Sequence, residues 1–238
     1  MLIKDLKSVE FETASAKEIE ERLVDENLVA RLAEGLGGRE RRLLVSDLDE
    51  VLVMACHKVI RLAYSDGNEE AKALFLPSDF VAREKYHLFS DPTTFGKYYG
   101  KGHYDTLIPT KLGQGLSDML AEANPLLDLA IISHHDEKNP ESRESKEQFV
   151  KRWWPQAKLF IVDTGIPKSE TILKEGLSNW TTFIDDRIDI VADVVLNTMS
   201  IGKEVMLPRF GYNGLDKLSD EVLAEFERRN VSVKYYDL

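Results

Sequence analysis

The chain is organised around Arg41-Arg42-Leu43-Leu44-Val45-Ser46-Asp47-Leu48-Asp49-Glu50-Val51-Leu52-Val53-Met54. Leu43, Leu44 and Val45 form a short β-prone run, and the run ends in two carboxylates two residues apart, Asp47 and Asp49. A buried strand that ends in acids must solvate them, protonate them or bind a cation, because burying an unpaired carboxylate is expensive. A solvated Asx turn is the plain alternative. A calcium-binding helix–loop–helix is excluded: counting from Asp47, the sixth position holds Leu52 where a glycine is needed, and the twelfth holds Lys58 where a glutamate is needed.

Downstream, the same pattern returns. Leu129-Ala130-Ile131-Ile132-Ser133 reads as a buried strand closing on a hydroxyl, followed by His134 and His135. Taken alone, such a serine is more often a helix N-cap. The paired histidines point to opposite sides of an extended chain and lack metal-ligand spacing, so they are not assigned to a metal. Glu141 to Trp154 reads as a helix stopped by Pro155, and Leu159 to Val162 as the next strand. Pro167 to Lys174 begins a helix or turn that carries Lys168 and Lys174. Thr181-Thr182-Phe183-Ile184 then runs into Asp185 and Asp186. Adjacent carboxylates at a strand end repel unless a cation or hydrogen-bond donors stand between them, with a loop salt-bridged through Arg187 as the alternative. Val191 to Leu196 is apolar, Val205 to Pro208 follows, and a helix from Ser219 to Arg229 with a strand from Val231 to Tyr235 completes the sheet edge.

In order, Asp47/Asp49, Ser133, a lysine and Asp185/Asp186 resemble the four motifs of the haloacid dehalogenase (HAD) superfamily, most of whose members are phosphatases. The resemblance spans about Arg41 to Asp189. It implies an α/β fold: a three-layer α/β/α Rossmannoid core with a parallel sheet, and an inserted, mainly helical cap. It also implies catalytic roles for Asp47 as nucleophile and Asp49 as acid and base. Ser133, the amide of His134 and Lys168 would bind phosphate, with Lys174 as the reserve for the motif lysine. Mg2+ would be the cofactor, held by Asp47, Asp49 through its carbonyl, and Asp185 or Asp186.

Ile184-Asp185-Asp186-Arg187-Ile188-Asp189-Ile190 further resembles the fourth motif of the 5'(3')-deoxyribonucleotidase branch. That branch has glycine where this chain has Glu50, and a Thr-Ser-Pro-like second motif where it has Ile132-Ser133-His134. The first motif also resembles that of the small C-terminal-domain phosphatases, which act on phosphoproteins and lack so long an insert. The implied substrate is a nucleotide or another small phosphorylated metabolite. A phosphoprotein or polynucleotide-end phosphatase, and a HAD-like protein that binds a phosphorylated ligand without turnover, stay open as alternatives.

The resemblance divides the chain into a core of residues 41–54 and 129–238, a cap of 55–128, and a helical extension of 1–40. In the extension, Ile19, Leu23, Leu28, Val29, Leu32 and Leu36 recur near helical spacing, and Gly35, Gly37 and Gly38 punctuate it. The insert carries aromatics among Gly96, Gly100 and Gly102, where Lys97, Lys101 and His103 beside Tyr98 and Tyr99 are candidates to meet substrate. Its aromatics, Tyr104 among them, otherwise read as the insert's own small core.

Composition sets outer bounds. The 238 residues are 43% hydrophobic, enough for a substantial core, and the formal charge of -11 argues against an extensive nucleic-acid or anionic-membrane surface. The single cysteine, Cys56, excludes an internal disulfide and favours a reducing compartment. The first residues lack the apolar core of a signal peptide, and no run is long enough to span a bilayer, so a cytoplasmic location is expected. The sequence assigns no oligomeric state.

Overall fold

The computed structural model describes residues 41–74, 89, 91–100, 102–121, 126–135, 140–209 and 218–237. The extension at 1–40 and Lys101 lie outside them. Among the described residues there are six strands: β1 (Arg42–Ser46), β2 (Leu127–His135), β3 (Lys158–Asp163), β4 (Thr182–Ile184), β5 (Glu204–Arg209) and β6 (Ser232–Asp237). They form one sheet in the order β3-β2-β1-β4-β5-β6, and every pairing is parallel. The organising strand, β1, thus lies inside the sheet, and the order reverses around it. Ligands in open parallel sheets bind at the carboxyl ends of strands beside such a reversal.

Side-chain alternation sorts the strands onto two cores. Leu44, Leu129, Ile131, Ile184 and Met206 pack on one face with α4 (Lys111–Ala121) and α5 (Pro140–Trp153). Leu43, Val45, Ala130, Ile132, Phe183 and Val205 pack on the other, with α6 (Lys168–Lys174), α7 (Ile188–Asn197) and α8 (Asp220–Arg228). The strand residues alternate because successive side chains on a strand point to opposite faces. The result is the α/β fold with a parallel sheet that the sequence implies. Apolar Val191 to Leu196, whose element type the sequence leaves open, is helical within α7.

Between β1 and β2 the chain forms α1 (Ala55–Ser65), α2 (Glu69–Leu74), α3 (Pro92–Tyr98) and α4. Here Val59, Ile60, Ala63, Ala71 and Phe89 build a separate small core, with Phe95, Tyr98 and Tyr99 against it. The return of this segment is stitched to the turn after Asp49: Thr110 donates its backbone N–H to Leu52 O at 2.9 Å and its hydroxyl to Val51 O at 2.9 Å. Gly113 makes that approach possible, since a Cβ there would stand 2.7 Å from Leu52 O.

Among the described residues, no helix is long and apolar enough to cross a membrane.

Candidate active site

Asp47 follows the last residue of β1 and extends its pairing, donating its backbone N–H to Ile184 O at 2.8 Å. By alternation from Val45, its side chain faces the layer that holds α6. There Lys168, the first residue of α6, is completely buried and reaches Asp47 Oδ1 and Asp185 Oδ2, each at 2.8 Å. Pro167 in extended conformation precedes it and fixes the direction in which α6 leaves. Asp47 Oδ1 also accepts the Leu48 N–H at 2.8 Å, and Asp185 Oδ1 accepts the Arg187 N–H at 3.0 Å.

Asp186 joins this pair, so that one ligand atom from each of Asp47, Asp185 and Asp186 lies within 4.8 Å of the other two. All three residues are buried. Burial, opposed by Lys168 and reinforced by Asp47, raises the Asp185 carboxyl to about 7. Burial works against the charge on Lys168 too, but Asp185 and Asp47 overcome it and hold the ammonium protonated. Lys168 thus bridges two of the three buried acids.

Opposite oxygens of an octahedral magnesium shell at roughly 2.1 Å from the ion are about 4.2 Å apart. Neighbouring oxygens of that shell are about 3.0 Å apart, so a contraction of the group would bring the three carboxylates around one ion, and an oxygen-only donor set is the one that hard divalent cations favour. The residues present fit a magnesium ion. Of the four acids named for the metal, the carboxylate of Asp49 stands outside this group.

Asp49 is held instead by groups from the other helical layer. Lys146, within α5 and wholly buried, donates to Asp49 Oδ2 at 2.8 Å, Ser133 Oγ at 2.9 Å and His134 O at 2.8 Å. The hydroxyl of Tyr104 donates to Asp49 Oδ1 at 2.6 Å, and the hydroxyls of Tyr99 and Tyr104 meet. Burial, with Asp49 adding to it, raises both phenols well above their ordinary value, so both keep their protons.

Strand β2 runs past Ser133 to His135, because Ser133, His134 and His135 pair with β3. Its partner β1 ends opposite Ile131, so Ser133 still stands beyond the β1 tip, on the face where α5 brings Lys146. The strand does not end at Ser133 as its sequence implies, because its pairing with β3 carries it on to His135. The His134 ring turns onto Ile166 O at 2.9 Å, and burial, with Lys168 close by, lowers its basicity. Lys174, at the far end of α6, is exposed, whereas Lys168 is buried against Asp47 and Asp185.

Glu50 adopts a backbone conformation that favours glycine. Its φ is +60°, in the left-handed region that costs an ordinary residue about 1–3 kcal/mol. The buried side chain accepts the Cys56 N–H at 2.5 Å and meets His57 Nδ1 at 2.6 Å, tying the strained turn to the start of α1. Burial, then Glu50, Asp49 and Asp186, push the Cys56 thiol well up, so it is a poor nucleophile.

The insert's other candidates lead elsewhere. Lys97 pairs at the surface with Asp66 and the Tyr98 hydroxyl. His103 is buried, with Nε2 at 3.0 Å from Ala55 O. A carbonyl requires a proton on that nitrogen, so His103 packs the insert onto α1 and does not face a ligand.

No protein-family model matches this chain, and no curated protein matches it. Solved structures do resemble it. An L-2-haloacid dehalogenase from Xanthobacter autotrophicus with covalently bound chloropropionic acid is 14% identical, covering 77% of this chain and 81% of that one, with a TM-score of 0.42. A phosphoserine phosphatase in apo form is 15% identical over 83% of this chain and 96% of its own, with a TM-score of 0.40. A haloacid dehalogenase-like hydrolase from Xanthomonas campestris is 11% identical over 81% and 99%, with a TM-score of 0.36.

Proposed function

We propose that this chain is a magnesium-dependent phosphomonoester hydrolase of the HAD type, working through an aspartyl-phosphate on Asp47. The observation that carries the reading is the bridge from Lys168 to Asp47 and Asp185, with Asp186 alongside, at the tips of two adjacent parallel strands. Four carboxylates gather there, Asp47, Asp49, Asp185 and Asp186, with two buried ammonium groups, Lys168 and Lys146, among them. A dehalogenase acting through an aspartate needs neither a second acid like Asp49 nor a cation.

In this mechanism, an Asp47 carboxylate oxygen attacks phosphorus while the bond to the leaving oxygen breaks. The leaving oxygen keeps that electron pair and takes a proton from Asp49. Asp49 then removes a proton from water, whose oxygen attacks phosphorus, and the bond to Asp47 breaks to release inorganic phosphate. Ser133, the His134 amide and Lys168 bind the equatorial oxygens, where charge accumulates. Lys146, bonded to both Ser133 and Asp49, aligns the hydroxyl with the acid. Asp47, Asp185 or Asp186 and the Asp49 carbonyl would hold Mg2+, which would supply Lewis acidity and offset repulsion between the anionic nucleophile and the anionic ester.

A small phosphorylated metabolite or nucleotide suits the site, because a net charge of -11 disfavours docking a large polyanion. The test is 4-nitrophenyl phosphate with Mg2+ and then with EDTA, followed by a panel of nucleoside monophosphates, sugar phosphates and phosphopeptides. Release of nitrophenol that stops with EDTA and returns with Mg2+ is expected. Stabilisation by phosphate esters with no release at any pH or metal concentration points instead to a binding protein.

A further inference from the structure

We propose that Tyr104 is a positioning residue for Asp49, an assignment that rests on the hydrolase reading above. The Tyr104 hydroxyl donates to Asp49 Oδ1 at 2.6 Å, while Lys146 donates to Oδ2 at 2.8 Å. Donors on both oxygens, one from the segment between β1 and β2 and one from α5, fix the rotation of the carboxylate. Such a carboxylate is pre-oriented toward a single direction of proton transfer.

Tyr104 is itself held firmly. Its backbone N–H donates to Ser145 Oγ at 2.9 Å, and that hydroxyl donates to Asp105 Oδ1 at 3.0 Å. Ser145 immediately precedes Lys146, so both donors to Asp49 hang from the same turn of α5. The ring is fully buried, edge-on to Tyr99 and His103 and tilted against Phe149. Phenylalanine would make those ring contacts equally well. The hydroxyl therefore adds nothing to the packing of its ring; what it contributes are its bonds to Asp49 and to the Tyr99 hydroxyl.

The consequence is that the insert completes the acid–base group. A segment displaced from α5 takes one of Asp49's two donors with it. Loss of the hydroxyl should then slow proton transfer and leave ester binding unchanged.

The experiment compares wild type, Tyr104→Phe, Asp49→Asn and the double variant on two esters with Mg2+. In 4-nitrophenyl phosphate the leaving oxygen departs without a proton, whereas in glycerol 2-phosphate it needs one. For Tyr104→Phe, kcat on glycerol 2-phosphate is expected to fall about tenfold or more, with KM within about twofold. On 4-nitrophenyl phosphate the same variant should release a rapid first equivalent of nitrophenol and then turn over slowly. In the Asp49→Asn background, Tyr104→Phe should cost nothing further, because its effect runs through Asp49.

Three results overturn the assignment alone: unchanged kcat on both esters, a loss carried in KM only, or an additional loss in the double variant equal to that in the single one. A wild-type protein that hydrolyses neither ester overturns the hydrolase reading, and the assignment with it.

Discussion

Lys168 and Lys146 are both wholly buried, and each ties a carboxylate of the same short turn to a group on a neighbouring strand, yet they arrive from opposite faces of the sheet. Lys168 leads the helix before β4 and serves the three clustered acids. Lys146 sits mid-helix on the other side and serves Asp49 and Ser133. The pair divides the site: one ammonium bridges Asp47 and Asp185, while the other holds Asp49 and Ser133. The two also differ in surroundings. The Lys168 group is made wholly by core elements, whereas the Lys146 group is finished by Tyr104 from the insert.

Substituting the lysines separately tests this division. Lys168→Met leaves Asp47, Asp185 and Asp186 without their buried cation, and is expected to cost about 3–5 kcal/mol in chemical denaturation. Added Mg2+ should recover part of that stability, since a second cation reaches the same acids. Lys146→Met leaves Asp49 with its Tyr104 donor and partial access to water, so it should cost less stability, and that loss should not respond to Mg2+. Lys174→Met, at an exposed position, should stay within about 0.5 kcal/mol of wild type. Equal Mg2+ recovery in the Lys168 and Lys146 variants would erase the distinction between the two sites.

A smaller effect separates the insert's packing from the site. Burial, with Lys58 adding to it, lowers His103 from 6.5 to about 4. The unfolded chain therefore takes up this proton first as pH falls. Stability that His103 confers is complete above about pH 6.5 and is lost progressively toward pH 4, by at most about 3 kcal/mol. Denaturation midpoints from pH 7 to 4 for wild type and His103→Gln should converge as pH falls. Parallel curves would mean that His103 is not buried in its neutral form.

The Lys168 side of the site is legible in the sequence because each of its acids ends an apolar strand, where a carboxylate is conspicuous. Lys168 itself stands out only through its place just before the strand that ends in Asp185. The Lys146 side is harder to read. Lys146 lies in a helix crowded with Arg143, Glu144, Glu147, Lys151 and Arg152, so composition makes it look like one more solvated charge. The signal is positional: Ser142, Ser145, Lys146, Phe149 and Val150 recur at helical spacing and form the buried stripe, so a lysine on that stripe must have a buried partner. Tyr104 hides similarly, because an aromatic in an insert reads as packing until its hydroxyl is found against Asp49.

Glycine at the Glu50 position is replaceable because the glutamate secures its own strained turn through Cys56 and His57, a three-residue arrangement that no short motif encodes. The length of β2 is likewise set by a neighbour. Apolar residues stop at Ile132, but pairing with β3 carries the strand on to His135.

The central claim is that Asp47 accepts the phosphoryl group. It is tested most directly in Asp49→Asn, which should form the aspartyl-phosphate from 4-nitrophenyl phosphate but hydrolyse it slowly for want of a base. Quenching the reaction and reducing with borohydride converts an acyl phosphate to the alcohol, which peptide mass spectrometry locates. The account predicts homoserine at position 47 and at no other acid, in amounts that depend on Mg2+. Nitrophenol release with no reduced residue at position 47, or with the reduced residue elsewhere, would contradict it.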